Sequence, residues 1–122
     1  MTYSLSFELP GLPKMNSSDR LNRWASIKER DKWREATILA CKGKAPIEPL
    51  KRARVWFTRH STTEPDFTNL VQGFKHVEDG LVDAGIIVDD KPSIIGQPTV
   101  TWVKASPRHG KVTVRVEGMQ DG

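Results

Sequence analysis

Carboxylates stand at both ends of one predicted helix in the middle of this 122-residue chain. Asp66 lies in the acidic turn before the helix, and Asp89 and Asp90 lie in the acidic turn after it. Magnesium prefers oxygen ligands and keeps several of its waters, so a few carboxylates are enough to hold it. Such an ion can generate hydroxide and stabilise the leaving oxygen of a phosphodiester. The acids therefore predict metal-dependent hydrolysis of a phosphate backbone, with Asp66 and Asp90 as ligands and Asp89 as their candidate partner.

The predicted helix carries further side chains that bear on this chemistry. Lys75 lies on a polar stripe with Thr68 and Asp79, where its ammonium group could neutralise transition-state charge or orient the attacking water. Glu78 falls inside the apolar stripe, so its carboxylate is expected at the edge of that stripe, in an ion pair, or in a functional site. Isolated acids are common, and Asp66 also has a purely structural explanation as the N-cap of the helix.

Helical periodicity over residues 67–84 is the strongest structural pattern in the sequence. The apolar residues recur at the spacing of one helix face, at Phe67, Leu70, Val71, Phe74, Val77 and Leu81. Gly73 and Gly80 share a face, which favours close packing against a sheet or another subunit. Gly85 suits the position just after the helix.

Shorter patterns predict the remaining elements. A second helix is expected over residues 26–42, with Ser26 as its N-cap and Glu29 completing a capping box. Alternating or apolar runs predict strands at residues 3–9, 52–58, 86–88, 100–105 and 111–117. The last two strands are expected to form an antiparallel hairpin. This order predicts a single compact domain over residues 1–122, of the α/β (α+β) class, with a mixed sheet and two main helices.

Basic residues are concentrated in the first half of the chain. Residues 1–60 hold 13 of the 19 lysines and arginines but only 6 of the 15 acids. Such a surface could face a polyanion, and residues 11–23 are predicted to be a basic loop that either reaches it or is a plain connector. Charge alone favours nucleic acid only slightly over an ordinary solvated surface.

Composition excludes several classes of protein. No run approaches the roughly 20 apolar residues that a membrane span needs, so no membrane association is expected. The first ten residues lack the pattern of a signal peptide, and we expect a cytoplasmic protein. The single Cys41 rules out an internal disulfide and a cysteine-rich zinc site, and its apolar helical setting predicts core packing.

Several spaced features together resemble the core signature of RusA-type Holliday junction resolvases. They are Asp66-Phe67-Thr68-Asn69-Leu70, Lys75, Asp79-Gly80-Leu81, Gly85 and Asp89-Asp90. The resemblance extends over nearly the whole chain, from Leu9-Pro10 and the basic loop with Asn16 to the late strand with Lys104. It implies a small, dimeric, Mg²⁺-dependent endonuclease, often encoded by a phage or prophage, that cuts four-way DNA junctions. Mn²⁺ is the expected substitute for Mg²⁺.

The resemblance assigns roles to individual residues. Asp66 matches the first acid of the family's Asp-x-Asp-Asn motif, and Asp90 matches its distant catalytic acid. Lys75 matches the catalytic lysine if a few residues are inserted before it. Thr68 departs from the pattern, because it stands where the second aspartate is usual and supplies no negative charge. Glu78 and Asp79 are the candidates to replace that acid, and Glu64 is a weaker one.

Three hypotheses follow for the function. The first is a homodimeric endonuclease for branched DNA, in the cytoplasm of a bacterium or an infected host cell. Its expected DNA contacts are Lys14, Asn16, Arg20, Arg23, Lys28 and Arg59. The second is a junction-binding protein with weak or no catalysis, because Thr68 replaces a metal ligand. The third is a basic interaction domain whose acids are only caps and turns.

Overall fold

The computed structural model describes residues 3–10 and 23–119 of the chain. This part forms β1 (Ser4–Pro10), α1 (Arg23–Cys41), β2 (Ala53–Ser61), α2 (Phe67–Asp83), a short α3 (Pro92–Ile95), β3 (Thr99–Lys104), a 3₁₀ turn (Pro107–His109) and β4 (Lys111–Gly118). The predicted α+β class, with a mixed sheet and two main helices, is confirmed.

The four strands form one sheet in the order β1-β4-β2-β3. β4 runs antiparallel to both β1 and β2, and β3 runs parallel to β2. The predicted hairpin of the last two strands is therefore wrong. β4 buries Val112, Val114 and Val116, which suits a central strand, whereas no residue of β3 is fully buried. The more apolar strand takes the middle of the sheet, and β3 takes its edge.

The two long helices cover one face of the sheet, which we call the inner face. Alternate residues of β2, Ala53, Val55 and Phe57, are buried against them, as the period of a half-buried strand requires. Trp33 of α1 and Val77 of α2 are likewise buried in this core. The inner face therefore holds the single hydrophobic core of the described residues.

α2 and α1 pack closely at a glycine. A Cβ atom at Gly80 would lie 2.6 Å from the Cβ of Thr37, so only glycine permits this approach. Gly73, on the same face, lies against Trp33 and Phe57. The predicted close packing is confirmed, but Gly80 packs against α1 rather than against a sheet or another subunit.

Two local predictions are wrong. α1 begins at Arg23, so Ser26 lies within the helix and is not its N-cap. Residues 23–25 contain no helix breaker, which allows the helix to extend backward. Residues 86–88 form only a single parallel bridge, between Leu50 and Ile87, rather than a strand.

Other predictions are confirmed. Cys41 is buried, and burial raises the pKa of its thiol to about 11, as expected for a core cysteine. Gly85 follows α2 with a φ angle of 77°, the left-handed conformation expected there, and Gly43 follows α1 with a φ angle of 76°. Within the described ranges, no helix is long and apolar enough to cross a membrane.

Candidate active site

Lys75 joins the middle of α2 to the acidic turn that follows the helix. Its ammonium group donates a hydrogen bond to the carboxylate of Asp90 and lies 3.3 Å from Oδ1 of Asp79. The hydrogen bond to Asp90 raises the pKa of Lys75, and the same bond lowers the pKa of Asp90. One cationic group therefore lies between two carboxylates, and it remains half exposed to solvent.

Glu78 lies beside this group and is buried. Only 7% of its surface is exposed, which confirms its predicted position within the apolar stripe of α2. The pKa of Glu78 is raised to about 7, mainly by burial and also by the negative charges of Asp90 and Asp79, while Lys75 opposes the shift. This carboxyl group can therefore change its protonation state near neutral pH.

Backbone contacts of residues 86–88 place the acidic turn against α2. The backbone N–H of Leu50 donates to the carbonyl of Ile86 at 2.9 Å, and that of Val88 donates to the carbonyl of Leu50 at 3.0 Å. Ile86 and Ile87 are buried in the core, so the chain enters the turn from a fixed position. Asp89 then accepts a hydrogen bond at 2.7 Å from the backbone N–H of Asp90.

Asp66 lies at a different place on α2. Its carboxylate accepts a hydrogen bond at 2.9 Å from the backbone N–H of Asn69, which confirms the N-cap prediction. Nine positions separate Asp66 from Lys75 in a continuous helix, which is roughly 13 Å along the axis. The structure therefore brings together Lys75, Glu78, Asp79 and Asp90, with Asp89 adjacent, and leaves Asp66 apart from them.

The turn before Asp66 is held by side-chain hydrogen bonds. The Ser61 hydroxyl donates to the carbonyl of Thr63 at 2.8 Å, and the Trp102 indole N–H donates to that hydroxyl at 2.8 Å. These bonds tie the ends of β2 and β3 to the start of α2. Thr68 and Glu64 are both exposed near this turn.

A magnesium ion fits these residues in one respect only. Asp79 and Asp90 both contact the ammonium group of Lys75, so both carboxylates can reach a single cation. Mg²⁺ can bind through one or two carboxylates while keeping its waters. Among the residues that the structure describes, no three acidic, histidine or cysteine side chains are arranged to hold a metal ion. The residues therefore fit a water-rich, two-carboxylate site rather than a closed protein cage.

The predicted DNA contacts fall into three groups. Lys14, Asn16 and Arg20 lie outside the described residues, and only the backbone of Arg23 is described. Lys28 is exposed on α1. Arg59 is half-buried at the end of β2, in register with Trp102 and Val112, and burial lowers the pKa of its guanidinium group.

Sequence reasoning missed the ion pair that locks the helices together. Arg34 of α1 donates from Nε to Oδ2 of Asp83 on α2 at 3.1 Å, and this bond raises the pKa of Arg34. It also missed that Arg59 faces inward. Arg59 has the same parity in β2 as Val55 and Phe57, so the alternation carried this signal.

A comparison with known protein families finds none that matches this chain, and no curated protein matches its sequence.

Proposed function

We propose that this protein is a Mg²⁺-dependent endonuclease for branched DNA, of the RusA type. The observation that supports this proposal best is the group of Lys75, Asp79 and Asp90 beside the buried Glu78. Lys75, Asp79 and Asp90 also belong to the sequence pattern that resembles that family. Perturbed carboxylates gathered around a lysine are characteristic of functional sites rather than of ordinary surface pairs.

Each residue has a distinct role in the proposed site. Asp79 and Asp90 would hold Mg²⁺, which when bound supplies Lewis-acid activation of a water and of the phosphate. Lys75 is held beside these carboxylates and is exposed enough to contact a phosphate oxygen and neutralise its charge. Glu78, when ionised, would add negative charge beside Asp79 and Asp90, although the described residues do not arrange it as a third ligand. Asp89 fixes the turn that carries Asp90.

Asp66 keeps its proposed catalytic role from the resemblance, although its observed contact is the helix cap. An exposed carboxylate at the helix start could also act on a separate part of the DNA. We propose in addition that the protein acts as a homodimer in the cytoplasm, because two nicks related by a two-fold axis resolve a junction symmetrically.

The direct test is cleavage of a synthetic four-way junction by the wild-type protein in Mg²⁺, with a linear duplex of equal length as control. The proposal expects paired nicks in the junction, none without a divalent ion, and activity with Mn²⁺. Equal cleavage of the linear duplex would contradict the structural selectivity.

A second function is favoured by one observation. The described residues offer no three-ligand metal site, and Thr68 supplies no charge where the family has an acid. A junction-binding protein with weak or no catalysis fits this arrangement. Tight junction binding without any nicking, in both Mg²⁺ and Mn²⁺, would favour it. Equal binding of branched and linear DNA would favour a basic interaction domain instead.

A further inference from the structure

A small cavity lies where the ends of β2 and β4 meet α1. Its volume is about 120 Å³, well above the roughly 10–15 Å³ that holds one water molecule. Trp33 of α1 lines it together with Arg59, His60 and Ser61 of β2 and the facing residues 110–112. Among the described residues, the lining contains the cationic side chains of Arg59 and Lys111 and no carboxylate.

Arg59 at this cavity is half-buried and has no counter-ion in the described ranges 3–10 and 23–119. It forms no ion pair with any residue in the described part of the chain. Its inward-facing neighbours along and across the strands include Phe57 and Val112, which are apolar. Lys111 differs, because its ammonium group pairs with Glu8 at 3.0 Å. A charge withdrawn from water normally has an opposite charge beside it, so the environment of Arg59 favours a bound anion.

Trp33, which also lines the cavity, has a buried donor without a partner among the described residues. Its side chain is only 1% exposed, and its buried indole N–H has no hydrogen-bond acceptor among the described residues. Buried donors are nearly always paired, and an unpaired one costs roughly 1–3 kcal/mol. Two side chains that line the same cavity, Trp33 and Arg59, therefore each carry a polar group without a partner among the described residues.

We propose that this cavity binds a phosphate group, held by the guanidinium fork of Arg59 and bordered by Trp33. Arginine suits this task because its planar fork matches two phosphate oxygens. The group could come from a DNA backbone or from free inorganic phosphate. Its assignment to the DNA backbone rests on the proposed function, whereas binding of free phosphate does not.

The test for free phosphate is NMR of the ¹⁵N-labelled protein without metal or DNA. The chain has four tryptophans, and Trp33→Phe identifies the indole N–H signal of Trp33. Inorganic phosphate should shift this signal saturably, at constant ionic strength set with chloride. The shift should be lost in Arg59→Gln, weakened in Arg59→Lys, and retained in Arg54→Gln, which changes an exposed arginine of the same strand on the opposite face.

Either of two results would overturn the phosphate site. One is the absence of a saturable shift in the wild-type protein, and the other is an undiminished shift in Arg59→Gln. If thermal unfolding shows that Arg59→Gln does not fold, Arg59→Lys provides the test. Phosphate binding by Arg59→Lys as tight as in the wild type would contradict the proposed role of the guanidinium group.

A second measurement distinguishes the two sources of phosphate. The salt dependence of junction binding should fall by about one unit of slope in Arg59→Gln, since one phosphate contact is lost. An unchanged slope, with free phosphate still bound, would assign the cavity to a free anion and overturn the backbone assignment. Because neither measurement requires cleavage, failure of the nuclease proposal and failure of this one are separable.

Discussion

The carboxylate of Asp90 accepts a hydrogen bond from the ammonium group of Lys75, fifteen positions earlier in the chain. The lysine lies on α2 and the aspartate in the turn beyond it, so the contact closes the segment onto its own helix. Asp79 shares the same ammonium group. A pair so exposed contributes little to stability, roughly 0–1 kcal/mol, which favours a functional reason for its presence.

Removal of Lys75 should therefore affect cleavage far more than folding. We expect Lys75→Met to lower the free energy of unfolding by less than about 1 kcal/mol. Junction cleavage should fall on the order of a hundredfold, because the group proposed to neutralise phosphate charge is lost. Denaturant unfolding and a single-turnover cleavage assay measure the two effects. Wild-type cleavage by Lys75→Met would remove the lysine from the mechanism.

Two substitutions distinguish the role of Asp66 as a helix cap from the role of its negative charge. Asparagine caps a helix about as well as aspartate, so Asp66→Asn should change stability by only a few tenths of a kcal/mol, whereas Asp66→Ala should cost about 1 kcal/mol. If Asp66 also acts in catalysis, Asp66→Asn abolishes cleavage while junction binding survives. Full cleavage by this variant would leave Asp66 as a cap alone.

Glu78 predicts a pH dependence of stability. Its folded pKa of about 7 lies above its ordinary value of 4.5, so the stability it contributes is fully present below about 4.5 and is lost as the pH rises through about 7. The substitution Glu78→Gln places a neutral side chain here, so it should remove the loss of stability at high pH. It should raise the free energy of unfolding at pH 8 by up to about 3 kcal/mol. Urea unfolding between pH 4 and pH 8 gives the comparison. Parallel pH profiles for the two proteins would show that Glu78 ionises normally.

The approach of α2 to α1 predicts opposite effects at two glycines. Gly80→Ala places a Cβ within 2.6 Å of the Thr37 side chain and should cost about 1–3 kcal/mol. Gly73→Ala is the matched control, because its nearest neighbour would lie 3.8 Å away, an ordinary contact. It should stabilise the helix by up to about 1 kcal/mol. Thermal unfolding compares the variants, and similar losses at both positions would contradict the packing described here.

Local patterns predicted the helix α2, its Asp66 cap, the place of Glu78 in the apolar stripe and the alternation of β2 and β4. Each depends on neighbours along the chain, which periodicity captures. The position of β4 between β1 and β2 was missed because strand order depends on the relative burial of distant segments. The distance between Asp66 and Lys75 could be calculated from the rise of the predicted helix. The contact of Asp90 with Lys75 could not be predicted in this way, because it depends on the Leu50–Ile87 contact between distant parts of the chain.

Asp90 provides the most direct test of the proposed active site. Asp90→Asn should abolish Mg²⁺-dependent cleavage of a four-way junction while leaving junction binding within a few-fold of the wild type. Asp31→Asn is the matched control, since Asp31 is an exposed acid on α1 whose ion-pair partner is its neighbour Arg30, and it should cleave normally. Equal cleavage by Asp90→Asn and Asp31→Asn would contradict the assignment of a nuclease site to Lys75, Asp79 and Asp90.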